Sequence, residues 1–217
     1  MDHVTARYTM VQNQIRTNRV TDPKIVAAMS ELPRERFAPE WARGIAYVDE
    51  HIPLNGGRYL VEPLTSALIL QAAEINADDV VLDVGCGTGY ISAISARIAS
   101  AVVALESDAE LAARAGATLA ELGIETATIV VGPLREGWPA QAPYDVIVFG
   151  GAVSAIPAKI VEQLAQGGRM VVVITEDKGL GCGTLLLRQG GTVSRRPIFE
   201  AAISVLPEFA LEPTFRF

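Results

Sequence analysis

From residue 80 onward, the chain alternates short apolar runs with segments in which apolar residues recur every three or four positions. The short runs are rich in β-branched residues, which is typical of buried strands, and the longer spacing is typical of amphipathic helices. Strands that alternate with helices indicate right-handed βαβ units and a parallel sheet. The predicted strands are 80–84, 101–105, 126–131, 144–149 and 169–175.

Both ends of the chain depart from this alternation. Residues 184–189 and 192–198 flank Gly190-Gly191, which predicts a two-residue hairpin turn and antiparallel strands at one edge of the sheet. In the N-terminal part, apolar residues at positions 4, 8, 11 and 15 predict one helix, and Asp22-Pro23 begins a second. A third helix begins at Glu62-Pro63 and runs to about residue 75.

A glycine-rich turn joins the first predicted strand to its helix, with the sequence Asp83-Val84-Gly85-Cys86-Gly87-Thr88-Gly89-Tyr90. Glycine allows positive φ and close approach of a ligand, and the helix start offers free N–H groups. The dinucleotide fingerprint G-x-G-x-x-G needs a small residue where Tyr90 stands. The pattern is instead D-x-G-x-G-x-G. Glu106 ends the next strand about 20 residues later, where a ribose-binding carboxylate is expected.

Composition narrows the function classes. The net charge of −7 disfavours nucleic acid as a partner, because phosphate binding requires a basic surface. No apolar run is long enough to span a bilayer, and the N-terminal residues lack the apolar core of a signal peptide, so we expect a cytoplasmic protein. Neither the two cysteines nor the two histidines have the spacing of metal ligands, so we expect no metal.

The turn resembles motif I of the S-adenosylmethionine-dependent methyltransferases with a Rossmann-like fold. Further segments resemble the protein-L-isoaspartate O-methyltransferase family along most of the chain. The resemblance implies a mostly parallel seven-stranded sheet flanked by helices, an antiparallel C-terminal hairpin and an N-terminal helical cap. It implies one domain over 1–217, in which 1–62 hold the helical segment and acceptor-site loop and 63–217 the cofactor-binding core. The similar segments are 10–16 (MVQNQIR), 22–23 (DP), 32–40 (LPRERFAPE), 46–49 (AYVD), 53–54 (PL), 144–145 (YD), 167–169 (GGR) and 196–199 (RPIF).

S-adenosylmethionine is the cofactor that this resemblance implies. In open α/β sheets a ligand lies beyond the carboxyl ends of the strands, which nominates loops that are far apart in sequence. The family usually has Gly-Asp after the third strand, whereas this chain has Gly132-Pro133, and proline offers neither a carboxylate nor an N–H. We therefore expect weaker cofactor binding, with adenine held by backbone and apolar contacts. The predicted cofactor residues are Leu60, Asp83, Gly85, Cys86, Gly87, Thr88, Gly89, Glu106, Ser107, Gly132, Pro133, Leu134 and Gly150.

The acceptor loop departs further from the family. Where the family has G-Q-T-I-S-Q-P, this chain has Gly-Arg-Tyr-Leu-Val-Glu-Pro over 57–63. Val61 replaces the serine beside the acceptor and cannot donate a hydrogen bond, and Glu62 would repel a carboxylate unless Arg58 offsets it. Equally, Arg58 and Glu62 could simply pair with each other. No catalytic residue is assigned; the candidates in this loop are Arg58, Tyr59, Val61 and Glu62.

Three functions are consistent with these residues. The first is methyl esterification of isoaspartyl carboxylates in damaged proteins, and the second is methyl transfer to another oxygen or small carboxylate acceptor. The D/N-P-P-Y motif of amino-group methyltransferases is absent after the fourth strand, which favours an oxygen acceptor. The third is a non-catalytic binding or regulatory module. The sequence leaves the acceptor and the oligomeric state open.

Overall fold

The computed structural model describes residues 2–175 and 180–211 of the chain. The described part contains a two-stranded sheet near the N-terminus and a larger sheet that forms the centre of the protein. The strands are β1 (Ile52–Pro53), β2 (Tyr59–Leu60), β3 (Val80–Val84), β4 (Ala101–Glu106), β5 (Ala127–Val131), β6 (Tyr144–Val153), β7 (Leu164–Ile174), β8 (Gly181–Gln189) and β9 (Thr192–Ala201).

The larger sheet has seven strands in the order β5-β4-β3-β6-β7-β8-β9. Strands β4, β5, β6 and β7 run parallel to β3. Strand β8 is antiparallel to β7, and β9 is antiparallel to β8. Gly190 and Gly191 both have positive φ in the turn between β8 and β9. The predicted Rossmann-like sheet with an antiparallel C-terminal hairpin is therefore confirmed.

Helices begin and end close to the predicted positions. Asp22 caps α2 by accepting a hydrogen bond from Lys24 N at 2.8 Å, and proline occupies the first helical position. The first predicted helix is divided, because residues Val11–Ile15 form a π-helical turn after α1. The α-helices are α1 (His3–Met10), α2 (Pro23–Glu31), α3 (Pro63–Ala73), α4 (Tyr90–Ala96), α5 (Ala109–Glu121) and α6 (Ala158–Glu162).

Apolar residues on both faces of the sheet are buried, as a parallel sheet requires. Along β3, Val81 packs into one apolar cluster with the N-terminal helices, and Leu82 packs into a second cluster on the opposite face. Strand β6 alternates in the same way through Val146 and Ile147. Packing on both faces fixes the register of the central strands and therefore the positions of the loops at their carboxyl ends.

Strand β6 is longer than the sequence predicts. It continues through Gly150 to Val153, whereas the apolar run ends at residue 149. The pairing with β7 is irregular between Val148 and Ala152, so the glycine pair occupies a bulged part of the strand. Across the part of the chain that the structure describes, no helix is long and apolar enough to cross a lipid bilayer.

Candidate active site

The glycine turn lies at the carboxyl ends of β3 and β4. Gly85, Gly87 and Gly89 have φ values of +77°, +58° and +89°, a conformation that other residues rarely adopt. The N–H groups of Gly85 and Cys86 donate to the carbonyl oxygen of Leu105 at 2.8 and 3.1 Å. The turn is therefore fastened to the tip of the neighbouring strand.

Glu106 is fully buried at the end of β4 and organises the surrounding backbone. Its Oε2 accepts a hydrogen bond from Gly87 N at 2.7 Å, which joins the carboxylate directly to the glycine turn. Its Oε1 accepts from the N–H groups of Ser107 and Asp108 at 2.8 and 3.1 Å. Sequence and structure therefore place this acid beside the glycines, where a ribose-binding carboxylate is expected.

Asp83 lies beneath the turn and is fully buried. Burial raises the pKa of the Asp83 carboxyl to about 7; the hydrogen bond from Ser92 opposes this rise, the charge of Glu106 adds to it and Arg58 opposes it. Ser92 Oγ donates to Oδ2 at 2.6 Å, and Oδ1 has no hydrogen-bond partner among the described residues. An unpaired buried carboxylate oxygen is costly unless a ligand or water donates to it.

Replacing Asp83 by asparagine tests this environment through the pH dependence of stability. The native carboxyl holds its proton up to about pH 7, whereas the unfolded chain loses it near pH 4, so the native state binds more protons between these values. The contribution of Asp83 to stability is therefore present at low pH and falls by about 3 kcal/mol between pH 5 and pH 8. Urea denaturation of wild type and Asp83→Asn at both pH values measures it.

Between pH 5 and pH 8, the free energy of unfolding of Asp83→Asn should fall less than that of wild type. Asp78→Asn, at an exposed position a few residues earlier, is the matched control and should keep the wild-type pH dependence. Equal pH dependence in wild type and Asp83→Asn would show that the carboxyl titrates normally.

The loops after β5 and within β6 complete the rim of the site. Gly132 N donates to the carbonyl oxygen of Glu106 at 3.0 Å, and Pro133 follows directly. Leu134 is fully buried and its N–H donates to Glu208 Oε2 at 2.9 Å. Gly150 lies against the carbonyl of Gly85, where a Cβ atom has no room.

The acceptor loop lies against the glycine turn, held by a buried arginine. Arg34 is fully buried and donates to the carbonyl oxygens of Ala46 and Val61, each at 2.7 Å. Its guanidinium also lies over the ring of Tyr90, 4.7 Å from the centroid. The N-terminal segment that resembles the family therefore positions Val61 beside the first residue of α4.

The polar side chains of this loop do not pair as the sequence suggests. Arg58 and Glu62 do not pair with each other, so that interpretation is wrong; Arg58 instead donates to Glu106 Oε1 at 2.5 Å and to the carbonyl oxygen of Gly85 at 2.7 Å. Glu62 accepts from Thr65 Oγ1 at 2.5 Å, and its other oxygen is 3.8 Å from His51 Nδ1. Glu62 therefore makes no hydrogen bond to an arginine among the described residues, although the buried Arg34 lies near enough for their charges to interact.

The structure brings six of the predicted residues to one small cavity. The volume of this cavity is about 10 Å³. Tyr59 forms part of its wall and packs edge-on against His51, with 5.0 Å between the ring centroids. The wall includes Leu60, Val61, Cys86, Thr88 and Gly150. A second opening of about 190 Å³ adjoins Arg58, Ser107, Leu134 and Glu208.

A known protein family matches most of this chain. A model of the family described as protein-L-isoaspartate(D-aspartate) O-methyltransferase matches residues 6–194. The chain belongs to that family. Protein-L-isoaspartate O-methyltransferase 2 of Anaeromyxobacter sp. (strain Fw109-5) is 41% identical over 77% of this chain and 69% of its own length. The protein-L-isoaspartate O-methyltransferase of Methanoculleus marisnigri is 35% identical over 85% of this chain and 84% of its own.

Solved structures agree on the fold. A protein-L-isoaspartate O-methyltransferase superposes with a TM-score of 0.78 at 25% identity, covering 93% of this chain, which in turn spans 65% of that protein. A structure from Plasmodium falciparum, described as a complex of such a methyltransferase with S-adenosyl-L-homocysteine, superposes with a TM-score of 0.79 at 18% identity. It covers 96% of this chain and is itself covered to 99%. The fold is that of the Rossmann-like methyltransferases, and the chain is a member of an S-adenosylmethionine-dependent family.

The polar groups of the site fit the cofactor of this family, but the space does not in this conformation. Asp83 Oδ1 and Thr88 Oγ1 are buried without partners among the described residues, as expected where a ligand donates and accepts hydrogen bonds. A cavity of about 10 Å³, however, holds about one water molecule, and Arg58 and Leu206 occupy the space beside Gly85. Sequence reasoning missed Leu206 and Glu208, which come after the predicted hairpin and carry no motif.

Proposed function

We propose that this protein transfers a methyl group from S-adenosylmethionine to a carboxylate oxygen of an isoaspartyl residue in a peptide or protein. Membership of the family supports the reaction class, and the bond between Glu106 Oε2 and Gly87 N is the observation that carries the cofactor assignment. When bound, the sulfonium supplies an electrophilic methyl group. A carboxylate acceptor is already deprotonated, so this chain needs no general base and acts by alignment and exclusion of water.

The two predicted acids and the glycine turn each have a part in this proposal. Glu106 would accept hydrogen bonds from the ribose hydroxyls, and Asp83, whose Oδ1 is unpaired among the described residues, would lie near the ammonium group. The glycine turn supplies backbone N–H groups and room for close approach. Both cysteines are free, Cys86 buried and Cys182 partly exposed, which supports a reducing compartment such as the cytoplasm.

Glu62 distinguishes the isoaspartyl acceptor from other acceptors. It is a carboxylate in the acceptor loop, and its Oε2 has no hydrogen-bond partner in the described part of the chain, so the nearby charge of Arg34 offsets it only across space. Glu62→Gln should raise kcat/KM for an isoaspartyl peptide by about tenfold, since like charges close together in a partly buried site repel by about 1 kcal/mol or more. Steady-state kinetics with an isoaspartyl peptide and its aspartyl counterpart measure the effect.

Glu125→Gln, an exposed acid after α5, is the charge-matched control and should leave kcat/KM unchanged. Val61→Ser, which restores the hydroxyl that the family carries in this loop, should add to the gain. If the aspartyl peptide is methylated as well as the isoaspartyl one, or if Glu62→Gln lowers the rate, the acceptor belongs to another class.

A non-catalytic binding module is the second candidate, favoured by the filled cofactor space. The intact Asp83, glycine turn and Glu106 argue against it, because a module without cofactor has no use for all of them. Binding of S-adenosylhomocysteine separates the two candidates.

A further inference from the structure

The guanidinium of Arg58 lies between the two elements that are predicted to hold the cofactor. It is 4% exposed, its Nη1 donates to Glu106 Oε1 at 2.5 Å, and its Nη2 donates to the carbonyl oxygen of Gly85 at 2.7 Å. Arg58 therefore engages the carboxylate and the turn that the ribose and methionine portions of the cofactor would contact. Arg58 and the cofactor therefore cannot both contact Glu106 and the glycine turn at the same time.

A second part of the chain closes the same space from the C-terminal side. Ala152 N donates to Ser204 O at 3.0 Å and Leu206 N donates to Ala152 O at 2.8 Å, so the segment after β9 runs along the end of β6. The side chain of Leu206 lies directly over Gly85 and Gly151, where Cβ atoms would stand 3.1 and 2.7 Å from its methyl carbons. Leu206 is therefore an apolar cover on the glycine turn.

The same segment reaches the predicted adenine side. Glu208 Oε2 accepts from Leu134 N at 2.9 Å, so it takes a backbone donor that lies where adenine would be held. The separate cavities of about 10 and 190 Å³ are each smaller than the sites of 300 Å³ or more that enclose drug-sized ligands. Neither cavity is large enough to enclose a nucleoside in this conformation.

We infer that Arg58 and the segment 204–209 form an internal plug that competes with S-adenosylmethionine for this site. This inference rests on the proposed function and adds the regulation of the same site. Arg58 substitutes for the ligand at Glu106, and Leu206 substitutes for it over the glycines. The cofactor enters only from a state in which both have withdrawn.

The two parts of the plug are attached to the rest of the protein in different ways. Arg58 adjoins the two-residue strand β2, which pairs only with β1 among the described strands, and Gly56 and Gly57 before it have φ values of +63° and +72°. The C-terminal segment leaves β9 and is joined to β6 by the two bonds at Ala152, by a bond from Ser154 N to Phe209 O at 3.3 Å and by one isolated bridge between Ala152 and Val205. Segments with few backbone partners open locally at a lower free energy than the whole domain unfolds.

Because only open molecules bind the cofactor, the apparent affinity equals the affinity of the open state multiplied by the fraction of molecules that are open. If the closed state holds nine molecules in ten, removing the plug tightens binding about tenfold. Since Glu106 keeps three backbone donors when Arg58 is replaced, its carboxylate stays in position for the ligand.

Calorimetry with S-adenosylhomocysteine on the full chain tests the plug. Arg58→Gln, which restores the residue type of the family loop, should bind at least tenfold more tightly than wild type. Leu206→Ala, which keeps the Arg58–Glu106 pair, should also bind more tightly. Arg36→Gln, which removes an arginine from an exposed pair with Glu121, is the control and should bind as wild type does. Thermal unfolding without ligand shows that each variant is folded.

The outcomes separate the plug from the proposed function. Tighter binding by Arg58→Gln and Leu206→Ala, with Arg36→Gln unchanged, supports the plug. Binding by wild type that is as tight as, or tighter than, binding by both variants overturns the plug and leaves the proposed function standing. Absence of binding by all four folded proteins overturns the proposed function, and the plug with it.

Discussion

Glu106→Gln is expected to lower the free energy of unfolding by about 3–5 kcal/mol, because it leaves the Arg58 cation buried without a counter-charge. The two side chains are 4% and 0% exposed, and Nη1 is 2.5 Å from Oε1. Glutamine keeps the shape of the side chain and an oxygen for the Gly87 N–H, but its NH2 group cannot accept from Arg58, Ser107 N or Asp108 N, so the loss reports the charge together with these bonds. Urea denaturation at pH 7 measures the change.

A double-mutant cycle attributes this cost to the pair. Arg58→Gln combined with Glu106→Gln should recover the part of the loss that comes from the unpaired charge, because two neutral side chains replace two buried charges. The exposed pair of Arg36 and Glu121 provides the comparison, and Glu121→Gln should change stability little. Additive effects of Arg58→Gln and Glu106→Gln would mean that the two groups do not interact energetically, which contradicts the ion pair.

The central sheet could be predicted from sequence because local patterns decide it. The β-branched run before Gly85 and the glycines after it specify a strand and a turn without reference to the rest of the chain. The turn at Gly190-Gly191 and the cap at Asp22 are local in the same sense, since each depends on the backbone preferences of a few neighbouring residues. These features agree with the structure.

The contents of the site could not be predicted because they depend on distant partners. Arg58 lies four positions from Glu62, and that short separation suggested a local pair; the chain instead brings Glu106 to it, 48 positions away. Leu206 covers Gly85 through a segment with no periodic pattern. The local sequence identifies the chemical groups of each residue, whereas the tertiary fold determines which residues those groups contact.

Gly150→Ala is expected to be the most damaging single methyl addition at the site. The new Cβ would stand closer than 3.0 Å to the carbonyl oxygen of Gly85, a distance that real Cβ atoms essentially never show. The obstacle is backbone and not the end of a flexible side chain, so β6 or the glycine turn must shift. Overpacking of this kind costs about 3 kcal/mol or more when the backbone cannot relax.

The position of the clash determines what else is lost. Gly85 is held by its N–H bond to Leu105 O, and Gly87 N by Glu106, so moving the turn weakens the bonds that join β3 to β4. Any Gly150→Ala protein that still folds should therefore bind S-adenosylhomocysteine at least tenfold more weakly than wild type, even in combination with Arg58→Gln. Gly44→Ala is the matched control, because a Cβ there meets nothing within 4 Å and its stability should stay near that of wild type. Equal urea midpoints for Gly150→Ala and Gly44→Ala would show that β6 yields without cost, and that the contact between Gly150 and the turn does not hold the site in shape.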